Sequence, residues 1–206
     1  AERDAMLSNV RLRLALDPAS ISYKITTPAG ETTMNEQIYR PLVEALDRAG
    51  ADGMTLAQLR EVPALRVLPP ASTWEAAMML VTNEAAFPAV DPRETDAGTR
   101  IAAINARFDA FNDRGHVLEY RVSPVTRLAH PLNRIQAGFV AAYARGVRSA
   151  DALAADLWSR MNAVGQRAIK DGKSLDTPED NLAHLHTLAR EFLEKDLPRC
   201  RRLGFI

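Results

Sequence analysis

Four histidines, one cysteine and a scatter of carboxylates are the side chains best suited to chemistry. The histidines are His116, His130, His184 and His186. His184 and His186 stand two apart in a segment of helical spacing, so their rings diverge by about 200° and cannot share a metal ion. A helical zinc pair needs i, i+4 spacing, which is absent. The histidines therefore read as solvent-facing or core-edge side chains. Cys200 lies between Arg199 and Arg201. Guanidinium neighbours favour a reactive thiolate, but no histidine stands in a fixed relation to it, so it reads as a plain cysteine of the tail. Glu119 and Asp156 could act together only if the fold gathered them into one polar pocket. There is no Gly-x-Ser-x-Gly string, and the ten glycines form neither Gly-x-Gly-x-x-Gly nor a Walker-type loop. The nearest string, Gly50-Ala51-Asp52-Gly53, reads as a helix stop. No catalytic, cofactor-binding or metal-ligating constellation emerges.

Composition narrows the class further. With 206 residues, 47% hydrophobic and 25% charged, the chain can bury a real core as one large domain or two modest ones. The longest apolar run, Ala76 to Val81, falls far short of the ~20 residues that span a bilayer. Glu2, Arg3 and Asp4 mix charges where a signal peptide would be basic. Ala1 allows either a trimmed methionine or a fragment of a longer protein. A single cysteine fits a reducing, cytoplasmic compartment. Basic and acidic residues balance at 26 each, so no global field attracts nucleic acid or membrane.

The elements that would position any site come next. Val10, Leu12, Leu14 and Leu16 alternate as a strand, as do Ile21, Tyr23 and Ile25, with a turn at Pro28-Ala29-Gly30 and a short return through Thr32, Thr33 and Met34. Ile38, Leu42, Ala45, Leu46 and Ala49 recur at helical spacing up to Gly50, and Pro41 places the regular helix start close to itself. Thr55-Leu56-Ala57-Gln58 has capping-box form. Pro63, Pro69 and Pro70 break the chain. Ser72-Thr73-Trp74-Glu75 reads as a second capping box that opens a helix through Glu84, and Phe87, Pro88 and Val90 suggest a strand. Strand, helix, short helix, helix, strand is the element order of a winged helix-turn-helix.

The polar stretch Asp91 to Gly98 divides the chain into a winged-helix-like lobe over 1–92 and a helical lobe over 93–206. Ile101, Ile104, Phe108 and Phe111 predict a long amphipathic helix closing near Gly115. Val117 to Val122 predicts a strand ending at Ser123-Pro124. Leu132 to Tyr143 predicts a helix with Pro131 in its first turn. Ser149 caps the helix carrying Leu153, Leu157, Met161 and Val164. Asp171-Gly172 is a turn. Thr177-Pro178-Glu179-Asp180 opens a helix that carries Leu182, Leu185, Ala189, Phe192 and Leu193 and stops before Pro198. The fold class is α+β, mainly α, the second lobe being a helical bundle with minor strands.

A winged helix invites a DNA-binding reading, a free-standing transcription regulator. The helix that would enter the major groove, Ser72 to Glu84, holds Glu75 and Glu84 and no Lys or Arg. Phosphate neutralisation supplies most DNA affinity, so this helix argues against nucleic acid as a partner. Trp74, Met78 and Met79 suit packing better than base reading. Arg199, Arg201 and Arg202 follow a helix C-terminus, where cations are favoured in any case, and read as a solvated tail.

Specific strings say more than spacing. Ile38-Tyr39-Arg40-Pro41, then Thr55-Leu56-Ala57-Gln58-Leu59, Ser123-Pro124-Val125-Thr126, Gly165-Gln166-Arg167, Lys170-Asp171-Gly172-Lys173 and Pro178-Glu179-Asp180-Asn181-Leu182 occur in this order. Phe192-Leu193, Leu197-Pro198 and Leu203-Gly204 complete the series. From about Leu12 onward the chain resembles the regulatory and C-terminal region of bacterial S-adenosylmethionine-dependent methyltransferases. Some members of that family are similar to protein-lysine methyltransferases of bacterial surface proteins. The resemblance implies an accessory module, since in that family a separate amino-terminal Rossmann-like domain binds S-adenosylmethionine and performs the transfer. No catalytic residue of the family maps onto this chain, and no cofactor is expected in it. The expected partners are the methyltransferase catalytic domain and a protein substrate, with Trp74 as the interface anchor. Two stretches depart from the family pattern: Asn83-Glu84-Ala85-Ala86-Phe87 replaces a Gly-containing turn into the wing, and Arg127-Leu128-Ala129-His130 replaces a more Gly-rich stretch.

Overall fold

A computed structural model describes residues 6–27, 30–91 and 97–206. The chain is α+β and mainly helical, and it divides into two compact units, residues 1–94 and 95–206. Most of the polar stretch read as the boundary, residues 92–96, lies outside the described residues, as do Pro28 and Ala29 of the first predicted turn.

In the first unit, β1 (Arg11–Leu14) is the centre of a three-stranded sheet, antiparallel to both β4 (Met54–Thr55) and β5 (Ala86–Ala89). A separate hairpin joins β2 (Lys24–Thr27) to β3 (Gly30–Thr33). Period-two alternation sends Leu12 and Leu14 into the core. On the opposite face Arg11 donates to the carbonyls of Asp52 (2.7 Å) and Gly53 (3.2 Å), tying β1 to the loop before β4. That loop passes so close that a Cβ on Gly53 would lie 2.5 Å from the Leu12 carbonyl oxygen, and Gly53 holds φ at +60°. Only glycine meets both conditions without strain.

Four helices close over this sheet: α1 (Glu36–Ala49), α2 (Leu56–Arg60), α3 (Pro63–Arg66) and α4 (Pro70–Thr82). Leu42, Leu46, Leu59, Leu65 and Leu80 join Leu12 in the core. The central strand of this sheet is supplied by β1, from ahead of the helices. α1 starts at Glu36, earlier than Pro41 suggested, because Asn35 caps it by accepting from the Gln37 N–H. Pro41 then sits inside the helix and leaves the exposed Gln37 carbonyl without its helical donor. Pro63 does not break the chain but begins α3 at its first position. The second predicted capping box is also corrected. α4 begins at Pro70, so Ser72 and Thr73 lie within its first turn and cap nothing. The Thr55 box is present with both of its hydrogen bonds.

In the second unit, α5 (Ala97–Asp113) is followed by the hairpin β6 (Tyr120–Val122) and β7 (Ala129–Pro131). Then come α6 (Arg134–Ala144), α7 (Ala150–Ala163), the hairpin β8 (Ile169–Lys170) and β9 (Lys173–Ser174), and α8 (Pro178–Glu191). Phe139, Val140, Leu153, Leu185 and Phe192 form its interior. α6 crosses α7 at Gly138, where a Cβ would meet Leu157 Cδ1 at 2.6 Å.

Several expectations are corrected here. Ile101 and Asn105 are the buried residues of α5 and Phe108 is half-buried, whereas Ile104 and Phe111 are 41% and 47% exposed, so the predicted apolar stripe is covered only in part. Leu182 of α8 is exposed as well. Pro131 ends β7, and α6 starts after Asn133, which forms a capping box with Gln136. The last helix does not stop before Pro198. It widens into a π-helical turn, Phe192–Asp196, in which the Leu197 N–H donates to the Phe192 carbonyl, and resumes as α9 (Leu197–Arg202) with Pro198 in the first turn. The wide turn lets the chain take in a residue that can neither donate nor tolerate the carbonyl four residues back. No helix among the described residues is long and apolar enough to cross a membrane.

Buried polar side chains hold the short strands of this unit. The Asn105 amide donates to the Val122 carbonyl at 2.8 Å and accepts from its N–H at 2.9 Å, as a neighbouring strand would. Ser123 donates to the Leu203 carbonyl at 2.7 Å and accepts from the N–H groups of Val125 and Thr126. Asn181, fully buried, accepts from the Ala168 N–H at 2.7 Å and donates to the carbonyls of Leu175 (2.9 Å) and Thr177 (2.7 Å).

Two stability tests follow from these contacts. Gly53→Ala should lose about 2 kcal/mol or more in urea unfolding, through positive φ and the clash with β1. Gly98→Ala, on a helix with open space around it, should lose nothing. Asn181→Ala should cost about 2–4 kcal/mol, because three backbone groups lose a buried partner together, and should lower the thermal midpoint of the second unit.

Candidate interface at Trp74

Trp74 is half-buried on the first turns of α4 and packs against the core of the first unit. It borders a groove of about 800 Å³. One wall is α2, where Leu56 and Arg60 stand four apart and so share a face. The other wall is Pro69, Pro70 and Ala71 at the start of α4, and Leu7 and Ser8 close one end ahead of β1. Local sequence builds both walls. The Thr55–Gln58 box starts α2 abruptly, and Pro70 fixes the first turn of α4.

The lining is apolar, with one cation. Arg60 makes no hydrogen bond or ion pair among the described residues. Thr73, 1% exposed, also borders the groove, and its Oγ1 is buried without a hydrogen-bond partner among the described residues. Sequence reading singled out Trp74 and missed Arg60 and Thr73. Arg60 stands at the end of α2, beyond its capping box, and Thr73 lies inside the Ser72–Glu75 string that has capping-box form. α4 carries Glu75 as its one charged residue, while Ala76, Ala77 and Leu80 are buried in the core.

The residues first considered for chemistry are scattered. The His116 ring lies 5.4 Å from that of Phe111. His130 is buried, with Nε2 2.8 Å from Thr126 Oγ1 and its ring edge-on to Phe205. His186 Nε2 is 3.0 Å from Asp151 Oδ1 at the surface. Among the described residues no group of three His, Cys, Asp or Glu is placed to hold a metal ion. Asp156 accepts from Arg145 and from Arg160, and Arg160 also reaches Asp113, so this carboxylate belongs to an ion-pair cluster. Glu119 is not part of it.

Cys200 is not a tail residue. α9 carries it inward to 3% exposure. Burial pushes its thiol up to about 12, with Asp196 adding to the rise and Arg199 and Arg121 opposing it. The positive charges of Arg199 and Arg121 thus lose to desolvation. Nor are Arg199, Arg201 and Arg202 a free tail: they fall in α9, and Arg201 donates to the Tyr143 hydroxyl at 2.8 Å.

No family model matches the chain, and no solved structure matches it. It is 27% identical over 201 residues to an uncharacterized protein of Synechocystis sp.. That alignment takes in 96% of this chain and 38% of the relative, so the chain spans well under half the relative's length.

Because Trp74 is half-buried, Trp74→Ala should cost only about 1–2 kcal/mol, less than truncation of a fully buried tryptophan. Urea unfolding followed by circular dichroism checks this. A folded variant then makes Trp74 a usable probe of binding.

Proposed function

We propose that this chain is a non-catalytic accessory module of a class I S-adenosylmethionine-dependent methyltransferase. It acts by contacting the catalytic domain or a protein substrate through the Trp74 groove. The observation that carries the reading is the groove itself: a largely apolar cleft walled by an amphipathic aromatic, with an arginine at its side that is unpaired among the described residues. Tryptophan and arginine are the residues that most often anchor interfaces, because each combines large contact area with directed hydrogen bonding. The ordered strings that resemble the family's regulatory region support the methyltransferase assignment. Alignment to 38% of a longer relative is what a module within a larger protein would give. Such a module works in the cytoplasm, beside the domain that uses the cofactor.

Isothermal titration provides the test. The chain alone should give no saturable heat with S-adenosylmethionine. It should bind a class I methyltransferase catalytic domain from its own organism, and Trp74→Ala should weaken that binding by at least about tenfold, the loss of one anchor. Tight binding of S-adenosylmethionine by the chain alone would overturn the assignment. So would failure to bind both every such catalytic domain and the proteins those domains methylate.

A further inference from the structure

A second groove, of about 520 Å³, lies wholly in the second unit and is independent of the Trp74 reading. Its floor is apolar, formed by Phe139, Met161 and Phe192. Some of its polar groups are matched: Gln136 bonds Asn133 and Asp196, and Arg167 donates to Asn162 Oδ1 and to the Gln166 carbonyl. Arg134, the first residue of α6, borders the groove and makes no hydrogen bond or ion pair among the described residues. Its guanidinium is partly desolvated. Burial and then the like charge of Arg160 push its pKa down, and no acidic group offsets them. A cation withdrawn from water without a counterion is costly, and an incoming anion relieves that cost.

Two features of the opposite sign complete the site. Gln166 donates through Nε2 to the Gly115 carbonyl at 2.9 Å, which leaves Oε1 buried with no donor among the described residues. Glu119 and Glu191 border the groove, and neither carboxylate is paired among the described residues. A multiply charged anion such as phosphate would satisfy Arg134 but face both carboxylates. A ligand carrying one negative and one positive charge meets unpaired groups of both signs, and the apolar part of the lining suits an apolar body.

We propose that this groove binds a small zwitterion with an apolar side chain, a free α-amino acid or dipeptide, its carboxylate on Arg134 and its ammonium toward Gln166 Oε1 and the carboxylates of Glu119 and Glu191. The volume falls within the range of small-ligand pockets, about 300–1,000 Å³, and leaves room for a dipeptide. The π-helical turn supplies Phe192 to the floor and Asp196 to the rim, where Asp196 accepts from Gln136 Nε2 at 3.0 Å.

The test uses the whole chain in calorimetry with L-phenylalanine, L-leucine and the dipeptide Leu-Leu. At least one should bind saturably. For that probe, the N-acetylated and the C-amidated forms should each bind at least about tenfold more weakly, since each lacks one charge. Arg134→Gln and Glu191→Gln should each weaken binding by a similar factor. Should Arg134→Gln not fold, Arg134→Lys keeps the charge, loses the planar fork and should still show a measurable loss. The proposal is overturned if none of the three probes binds. It is equally overturned if inorganic phosphate binds as tightly as the best of them, or if the charge-removing variants bind it unchanged.

Discussion

The side-chain amide of Asn181 is the constraint on which the second unit rests. It sits on the first turn of α8 and bonds backward to Leu175 and Thr177 and across to Ala168. Strands β8 and β9 hold two residues each, too few for ladder hydrogen bonds to fix them alone. The amide supplies what a longer sheet would. Asn105 and Ser123 do the same for β6 and for the turn after it. Each is a polar side chain taken out of water because the backbone around it needs a partner there. The first unit solves the same problem differently: its sheet is held by leucines beneath and by the close passage of Gly53 above.

These two strategies decide what kind of groove each unit can offer. In the first, two helices start at a capping box and at a proline, and the gap between them is bordered by Leu56 of the core and by Trp74 packed against it. That cleft is where the proposed protein partner would dock. In the second, Ala168 and Ile169 form part of the groove rim, held through the Asn181 bond to Ala168. A rim fixed by buried hydrogen bonds keeps its polar groups in set positions even when they lack partners. Orientation of this sort is what small-ligand recognition requires.

Local chemistry with a single solution was legible in the sequence. Thr55 with Gln58, Ser149 and Thr177 all cap the helices expected of them. Asp171-Gly172 turns the β8–β9 hairpin, with positive φ at both residues. Prolines were the main source of error. Pro41 lies inside α1, Pro131 in a strand and Pro198 beyond a widened turn. Pro41 is carried by a helix already started at the Asn35 cap, Pro198 by the widened turn before it, and Pro131 lies before the Asn133 cap rather than after it. The groove residues Arg60, Arg134 and Gln166 were illegible for another reason: a missing partner is a property of the whole surroundings. The strings behind the family resemblance prove to include structural fastenings, among them Ser123, Asn181 and the Thr55 box. The two departures from that pattern, around Glu84 and Arg127, hold those residues at φ values of 55° and 56°. There the backbone takes the left-handed form that glycine would adopt freely.

The burial of Cys200 gives the molecule a clock. It is the only sulfhydryl in the polypeptide, lodged on α9 where bulk reagent does not meet it and where it keeps its proton. An alkylating agent can therefore strike it only during the moments when the C-terminal helix lifts away. The pace of that reaction reports how much of the time the helix is open when reclosing is fast, and how often it opens when the reagent outpaces reclosing.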